Sequence, residues 1–285
     1  MTWWCSATGK NWSWAWQPYL GAWILAGALA VLLVLGFRRD PGFPLRRKVC
    51  AFLGVLVLLA ATDWPLASLG AGYLISVQMA RQVLMVFVAV PLILYGMPPV
   101  VGRWLQRGRQ ARAYAVLTTP VLAVVLANTI LILCMSPLVA DPMIPSPLGS
   151  FVLDAAWLVA GVILWLPVQP PSPLRPRLVG PSATVYLIIQ SIVPLPVAFF
   201  MTWAEYPLYS VYELAPRLID WLGPVDDQQV GAGMLQVVGG LVIWSQIAVR
   251  FVRWATERQR LEAPAPYDDV PDTPAQILAA GPTAH

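Results

Sequence analysis

Histidine is almost missing from this sequence: of 285 residues only the last, His285, carries an imidazole. The side chain that most often serves as general base or metal ligand near neutral pH is therefore absent from the body of the chain. No nucleophile has a histidine base near it in sequence, and neither a phosphate-binding glycine loop nor an H-E-x-x-H zinc motif occurs. Hydrolysis and group transfer are not expected, and the chain is read as a non-enzyme. Cysteine is scarce and odd in number, at Cys5, Cys50 and Cys134, which leaves a Cys5 to Cys134 pairing as the one conceivable disulfide. Charge is scarce as well. Only 11% of residues are charged against 58% hydrophobic, and the mean hydropathy is +0.67, values that exclude an ordinary soluble domain.

Long apolar runs take the place of what is missing. A helix needs about 20 mostly apolar residues to cross a hydrocarbon layer about 30 Å thick. Seven stretches qualify: Pro18 to Gly36, Val49 to Ser68, Tyr73 to Gly96, Tyr114 to Met135, Ser150 to Val168, Val179 to Trp203 and Val230 to Val252. The expected fold is all-α, a polytopic membrane protein of seven transmembrane helices. Residues 18–254 form the membrane domain, residues 1–17 a periplasmic tryptophan-rich segment, and residues 255–285 a disordered cytoplasmic tail rich in Pro and Ala. Trp3, Trp4, Trp12, Trp14 and Trp16 are read as an interfacial aromatic belt, and no cleaved signal peptide is read ahead of the first span. Pro91, Pro120, Pro194 and Pro196 fall inside spans and are expected to bend them.

The net charge of +4 is a topology signal, not a nucleic-acid footprint, because the basic residues hug span ends in every second loop. Arg38, Arg39, Arg46, Arg47 and Lys48 occupy the first loop, Arg103, Arg107, Arg109 and Arg112 the third, and Arg175 and Arg177 the fifth. The last span runs into Arg250, Arg253, Arg258 and Arg260. The alternate segments are neutral or acidic, carrying Asp141 in one and Glu205, Glu213, Asp220, Asp226 and Asp227 against Arg217 in another. The N-terminus is thus expected outside and the C-terminus in the cytoplasm.

One run breaks the apolar pattern. In YLISVQMARQVLMVFVAVPLILYG, helical spacing puts Gln78, Arg81 and Gln82 on one face of the third span. An arginine facing lipid costs from about 2.5 to above 10 kcal/mol, so Arg81 should point into the bundle and meet an acid. Asp154 at the outer start of the fifth span is the first choice and Asp63 at the outer end of the second span the alternative. These groups read either as a hydrogen-bonded plug that fixes helix register or as part of an ion or metal path from the outer face. Met79, Cys134 and Met135 place soft sulfur at similar depth, and thioether and thiolate donors suit Cu(I).

These motifs resemble the multi-span CtaG family of cytochrome c oxidase assembly factors, over most of residues 16–254. In that family the third span carries a pattern like S-x-H-M-x-Q-H ahead of an apolar run ending in P-L-x-x-x-G-x-P. Here SVQMARQ precedes PLILYGMPP, with Gln78 and Gln82 where histidines are expected and Arg81 in place of a glutamine. The family's W-H-x-P at the end of the fourth span corresponds to Cys134, Met135, Ser136 and Pro137, and Asp154 stands where a histidine opens the fifth. The D-Q-Q motif that begins the last span is reproduced by Asp227, Gln228 and Gln229, followed by Gly231, Gly233 and the pair Gly239, Gly240.

The resemblance implies a bacterial plasma-membrane protein whose partners are haem–copper oxidase subunits and lipid, and which helps copper reach the oxidase from the periplasmic side. Met79, Cys134, Met135 and Asp154 would then be the remaining copper site. The loss of every expected histidine supports a second reading, an accessory or structural subunit of a terminal oxidase. A third is a small transporter or channel gated by Arg81 and an acid.

The charge pattern makes the orientation testable. A periplasm-dependent reporter enzyme inserted in the segment 204–229 is expected to be active, and the same reporter fused after Arg260 inactive. The opposite pattern would invert the bundle.

Overall fold

The computed structural model describes residues 2–171 and 177–262. Every element in it is helical. In chain order these are α1 (Leu20–Arg38), α2 (Leu45–Thr62), α3 (Leu66–Gly72), α4 (Ile75–Tyr95), α5 (Pro99–Leu105), α6 (Gln110–Leu117), α7 (Pro120–Met135), α8 (Pro137–Met143), α9 (Pro147–Trp165), α10 (Gly180–Trp203), α11 (Ser210–Glu213) and α12 (Pro224–Glu262). Five of them, α1, α4, α9, α10 and α12, are long and apolar enough to cross a membrane; seven spans result if α2 with α3 and α6 with α7 each count as one. These five to seven candidate spans mark the chain as a membrane protein, and each overlaps one of the apolar runs of its sequence.

Two of the expected spans are bent. Asp63, Trp64 and Pro65 separate α2 from α3, which turns away by 43°. The turn at Thr118 and Thr119 sets α6 and α7 at 87°, so residues 114–117 do not extend the fourth span as the hydropathy suggested. Pro120 sits in the first turn of α7, where its missing N–H costs nothing, and not inside a span. Pro194 likewise lies in a turn that interrupts α10. At the other end of the chain, α12 continues through Glu262, so residues 255–262 of the expected disordered tail are helical. Its 39 residues reach about 58 Å, well beyond a hydrocarbon layer. Arg175 and residues 263–285 of the tail lie outside the described residues.

The bundle is organised around α4: of its most apolar 18-residue stretch 72% is buried, against 28% for the corresponding stretches of α1, α10 and α12. It packs against α2, α3, α9 and α12. Small residues on the neighbours let it come close. A Cβ on Gly231 of α12 would stand 3.3 Å from Met79 Cγ, one on Gly161 of α9 would stand 3.3 Å from Val86 Cα, and one on Gly54 of α2 would stand 2.9 Å from the Ala89 carbonyl oxygen.

Midway, α4 widens into a π-helical turn over Leu84–Ala89, just ahead of Pro91. In π geometry the carbonyl of Val86 would look to the amide of residue 91, and proline has none. Trp165 on α9 supplies the donor from its indole Nε1 at 2.9 Å. The carbonyl of Pro91 accepts from Gln169 Nε2 at 2.7 Å. Side chains of α9 and of the chain just after it thus meet the backbone carbonyls around the break in an apolar medium.

Candidate functional site

Arg81 lies on the first turns of α4 and is fully buried, at 0% exposure. Its guanidinium reaches three different parts of the chain. Nε donates to the carbonyl of Ala61 on α2 at 2.6 Å, Nη2 to Asp154 Oδ2 on α9 at 2.7 Å, and Nη1 to Gln78 Oε1 one turn earlier on α4. Nη2 also stands 3.8 Å from Cys5 Sγ. The structure decides between the two candidate acids in favour of Asp154. Asp63 is committed elsewhere: its carboxylate accepts from the backbone N–H of Tyr19 and from Trp23 Nε1, both at 2.9 Å, tying the start of α1 to the end of α2.

The N-terminal segment completes the site, which the sequence did not announce. Trp4 is buried at 1% exposure, and its indole Nε1 donates to Asp154 Oδ2 at 3.0 Å, so it is not part of an interfacial belt. Trp14 and Trp16, at 72% and 64% exposure, fit that belt better. Cys5 is fully buried beside Ser150, with 3.5 Å between Sγ and Oγ. All three cysteines are free, so the conceivable Cys5 to Cys134 disulfide is not formed. Burial pushes the Cys5 thiol up to about 11 although the Arg81 guanidinium pulls it the other way, and the group stays protonated at neutral pH. The fold-back is held by main-chain bonds, from Gly21 N–H to the Trp3 carbonyl at 2.9 Å and from Ala7 N–H to the Ile144 carbonyl at 3.2 Å.

The approach of α3 is equally tight. A Cβ on Gly70 would come within 2.7 Å of both Arg81 Cδ and Gln78 Oε1. The Gly70 carbonyl accepts from the hydroxyl of Tyr212, in the segment between α10 and α12, at 2.7 Å. Gln82 is buried next to this cluster in sequence, and its Oε1, like Asp154 Oδ1, has no hydrogen-bond partner among the described residues.

The D-Q-Q residues act as caps between helices. Asp227 on α12 accepts from the N–H groups of Ile75 and Ser76 at 2.7 and 3.3 Å. These are among the first amides of α4, which have no acceptor within their own helix, and the carboxylate also suits the positive end of the helix dipole. Gln228 donates to the carbonyl of Met201 near the end of α10 at 3.0 Å and accepts from Leu208 N–H at 2.8 Å. Gln229 is exposed on the outside of the bundle.

The four residues proposed for copper come from three helices, α4, α7 and α9. Met79 is buried over Gly231 at the α4–α12 contact, while Cys134 and Met135 end α7, which packs on α9 and α10. The Met135 carbonyl accepts from Tyr209 Oη at 2.6 Å. Asp154 is engaged by Arg81 and Trp4. Among the described residues no group of three or more His, Cys, Asp or Glu side chains stands close enough to hold a metal ion. What Asp154 faces is a guanidinium, and a cation placed there would meet its positive charge. A second polar chain, absent from the expected network, links α7, α10 and α9: Asn128 donates to Gln190, Gln190 to Tyr186 Oη at 2.9 Å, and Tyr186 Oη to the Leu164 carbonyl at 2.7 Å.

Fold and site together define a polytopic helical membrane protein whose polar cluster, at the start of α4, is cross-linked by a buried ion pair. The chain belongs to the cytochrome c oxidase caa3 assembly factor (Caa3_CtaG) family, whose model matches residues 28–257. No curated protein and no solved structure matches it.

The buried pair makes an asymmetric prediction. Removing one partner leaves an uncompensated charge in the bundle, so Arg81→Met or Asp154→Leu alone should cost about 3–5 kcal/mol. The double variant should recover most of that loss, read as the midpoint of thermal unfolding in detergent. Additive single losses would show that the two groups are not coupled.

Proposed function

We propose that the chain assists assembly of a haem–copper oxidase in the bacterial plasma membrane as a non-enzymatic binding partner, with its Arg81–Asp154 end facing the periplasm. In this reading the internal polar cluster holds the scaffold in shape and does not carry copper. Family membership supports the oxidase as the partner. The observation that supports a structural role for the cluster is the coordination of Arg81. Each nitrogen of its guanidinium donates to the protein, to Ala61, Gln78 and Asp154, and Asp154, the acid it meets among the described residues, is thereby paired with a cation already. A guanidinium so placed supplies in permanent form the positive charge that a bound metal would supply reversibly.

Copper handling, if it belongs to this chain, would have to use sulfur. Met79, Cys134, Met135 and Cys5 are the donors available to it, and amide oxygens such as those of Gln78 and Gln82 are poor ligands for Cu(I). The position of Cys5 beside the Arg81 guanidinium, whose positive charge disfavours a second cation there, supports the scaffold reading.

Affinity purification of C-terminally tagged protein from native membranes in mild detergent, followed by quantitative mass spectrometry and haem determination, tests the proposal. Substoichiometric oxidase subunits poor in haem are expected. Stoichiometric mature oxidase would instead make the chain an accessory subunit, and recovery of no oxidase would overturn the proposal.

A further inference from the structure

At the end of α4 remote from Arg81 a cavity of about 520 Å³ opens between α4, the chain following α9, and α12. Its wall is divided. Phe87, Pro91 and Val242 make one side apolar, and Arg177, Arg250 and Arg253 bring three guanidinium-bearing side chains to the other. The same three arginines line an adjoining space of about 130 Å³ closed by Trp254. Trp254 packs where a Cβ on Gly180 would fall 2.6 Å from its ring, and Gly180 has φ +56°, so the close fit of α10 on α12 depends on glycine there.

The sequence accounts for these arginines as orientation signals, but a topology signal does not require the geometry that Arg250 has. Its side chain is half-buried and pinned inward. Nη1 donates to the Val168 carbonyl at 3.0 Å and Nη2 to Gln169 Oε1 at 2.8 Å, the same Gln169 that holds the Pro91 carbonyl. Its Nε is buried with no hydrogen-bond partner among the described residues. None of the three arginines forms an ion pair among the described residues; Glu257 is the acid that lines the adjoining space. Three like charges that converge without a matched carboxylate repel one another unless an anion sits among them.

We propose that this cavity binds the phosphate of an anionic phospholipid. A phosphodiester offers paired oxygens that suit guanidinium forks, and the acyl chains would leave along the outer face of α12. That face is apolar and open, with Leu241 at 65%, Val249 at 51% and Val252 at 61% exposure. A free phosphate would satisfy the arginines but leave the apolar half of the cavity unfilled, so charge and surface together fit a headgroup with tails. Basic pockets between spans at the cytoplasmic face have the chemistry for such lipids.

Native mass spectrometry of the full chain in detergent provides the test, with dioleoyl-phosphatidylglycerol, dioleoyl-phosphatidylcholine or inorganic phosphate added in separate titrations. The wild-type chain should take up one phosphatidylglycerol in clear preference to phosphatidylcholine. The variant Arg177→Gln/Arg253→Gln changes two exposed side chains and leaves the Arg250 tether intact; it should bind phosphatidylglycerol about thirtyfold more weakly. Equal retention of both lipids, unchanged binding by the variant, or binding of inorganic phosphate with no lipid preference would each overturn the proposal.

Discussion

A guanidinium held out of water in the middle of a membrane bundle is the constraint on which the rest of this structure depends. Removing such an ion from water costs several kcal/mol even after the surroundings relax. Arg81 can therefore occupy its position only if every element around it is placed to receive a hydrogen bond. Ala61 of α2, Gln78 of α4 and Asp154 of α9 meet that demand, and Gly70 of α3 makes room for it. Trp4 and Cys5 close the cluster from the N-terminal side. Five parts of the chain are located by one side chain, which gives a bundle of otherwise interchangeable apolar helices a single register.

The same logic recurs wherever the backbone is interrupted. Asp227 caps α4 from α12, Gln228 joins the end of α10 to the segment that follows it, and Trp165 answers the carbonyl that Pro91 leaves without a donor. In water these groups could be solvated; in an apolar medium each must be met by protein. The polar residues of this chain are few, and most of those that are buried sit at such a break or in the Arg81 cluster. The contrast with the far end of α4 is informative, because there Arg177, Arg250 and Arg253 converge without an ion pair among the described residues.

Much of this was legible in the sequence, for reasons that differ from residue to residue. The spans follow from apolar length, and the inward orientation of Arg81 follows from the cost of exposing it to lipid. Asp154 could be ranked ahead of Asp63 as the partner but not chosen outright, because both acids lie at similar depth; Tyr19 and Trp23 decide it by taking Asp63 for the α1–α2 contact. Trp4 was missed because tryptophan near a span end is by default an interfacial residue, and nothing local to WWC distinguishes the one that folds back. The 87° bend before Pro120 was hidden because apolar residues flank the short Thr118–Thr119 turn on both sides, and the proline that marks the start of α7 reads equally as a kink. The D-Q-Q motif could be matched to the family pattern but not interpreted, since its hydrogen-bond partners, the first N–H groups of α4 and a carbonyl of α10, lie far away in the chain.

In a family associated with oxidase assembly, this chain carries the amides Gln78 and Gln82 and the carboxylate Asp154 where its resemblance to that family leads one to expect imidazoles, and its Arg81 neutralises that carboxylate. The central claim is that this cluster is a permanent cross-link and not a metal site. The most direct test is the copper content of the full-length protein purified with Cu(I) under reducing conditions, compared with Met135→Ala and Cys134→Ala variants. The account predicts well below one copper per chain in all three. One copper per chain in the wild type, lost in either variant, would contradict it.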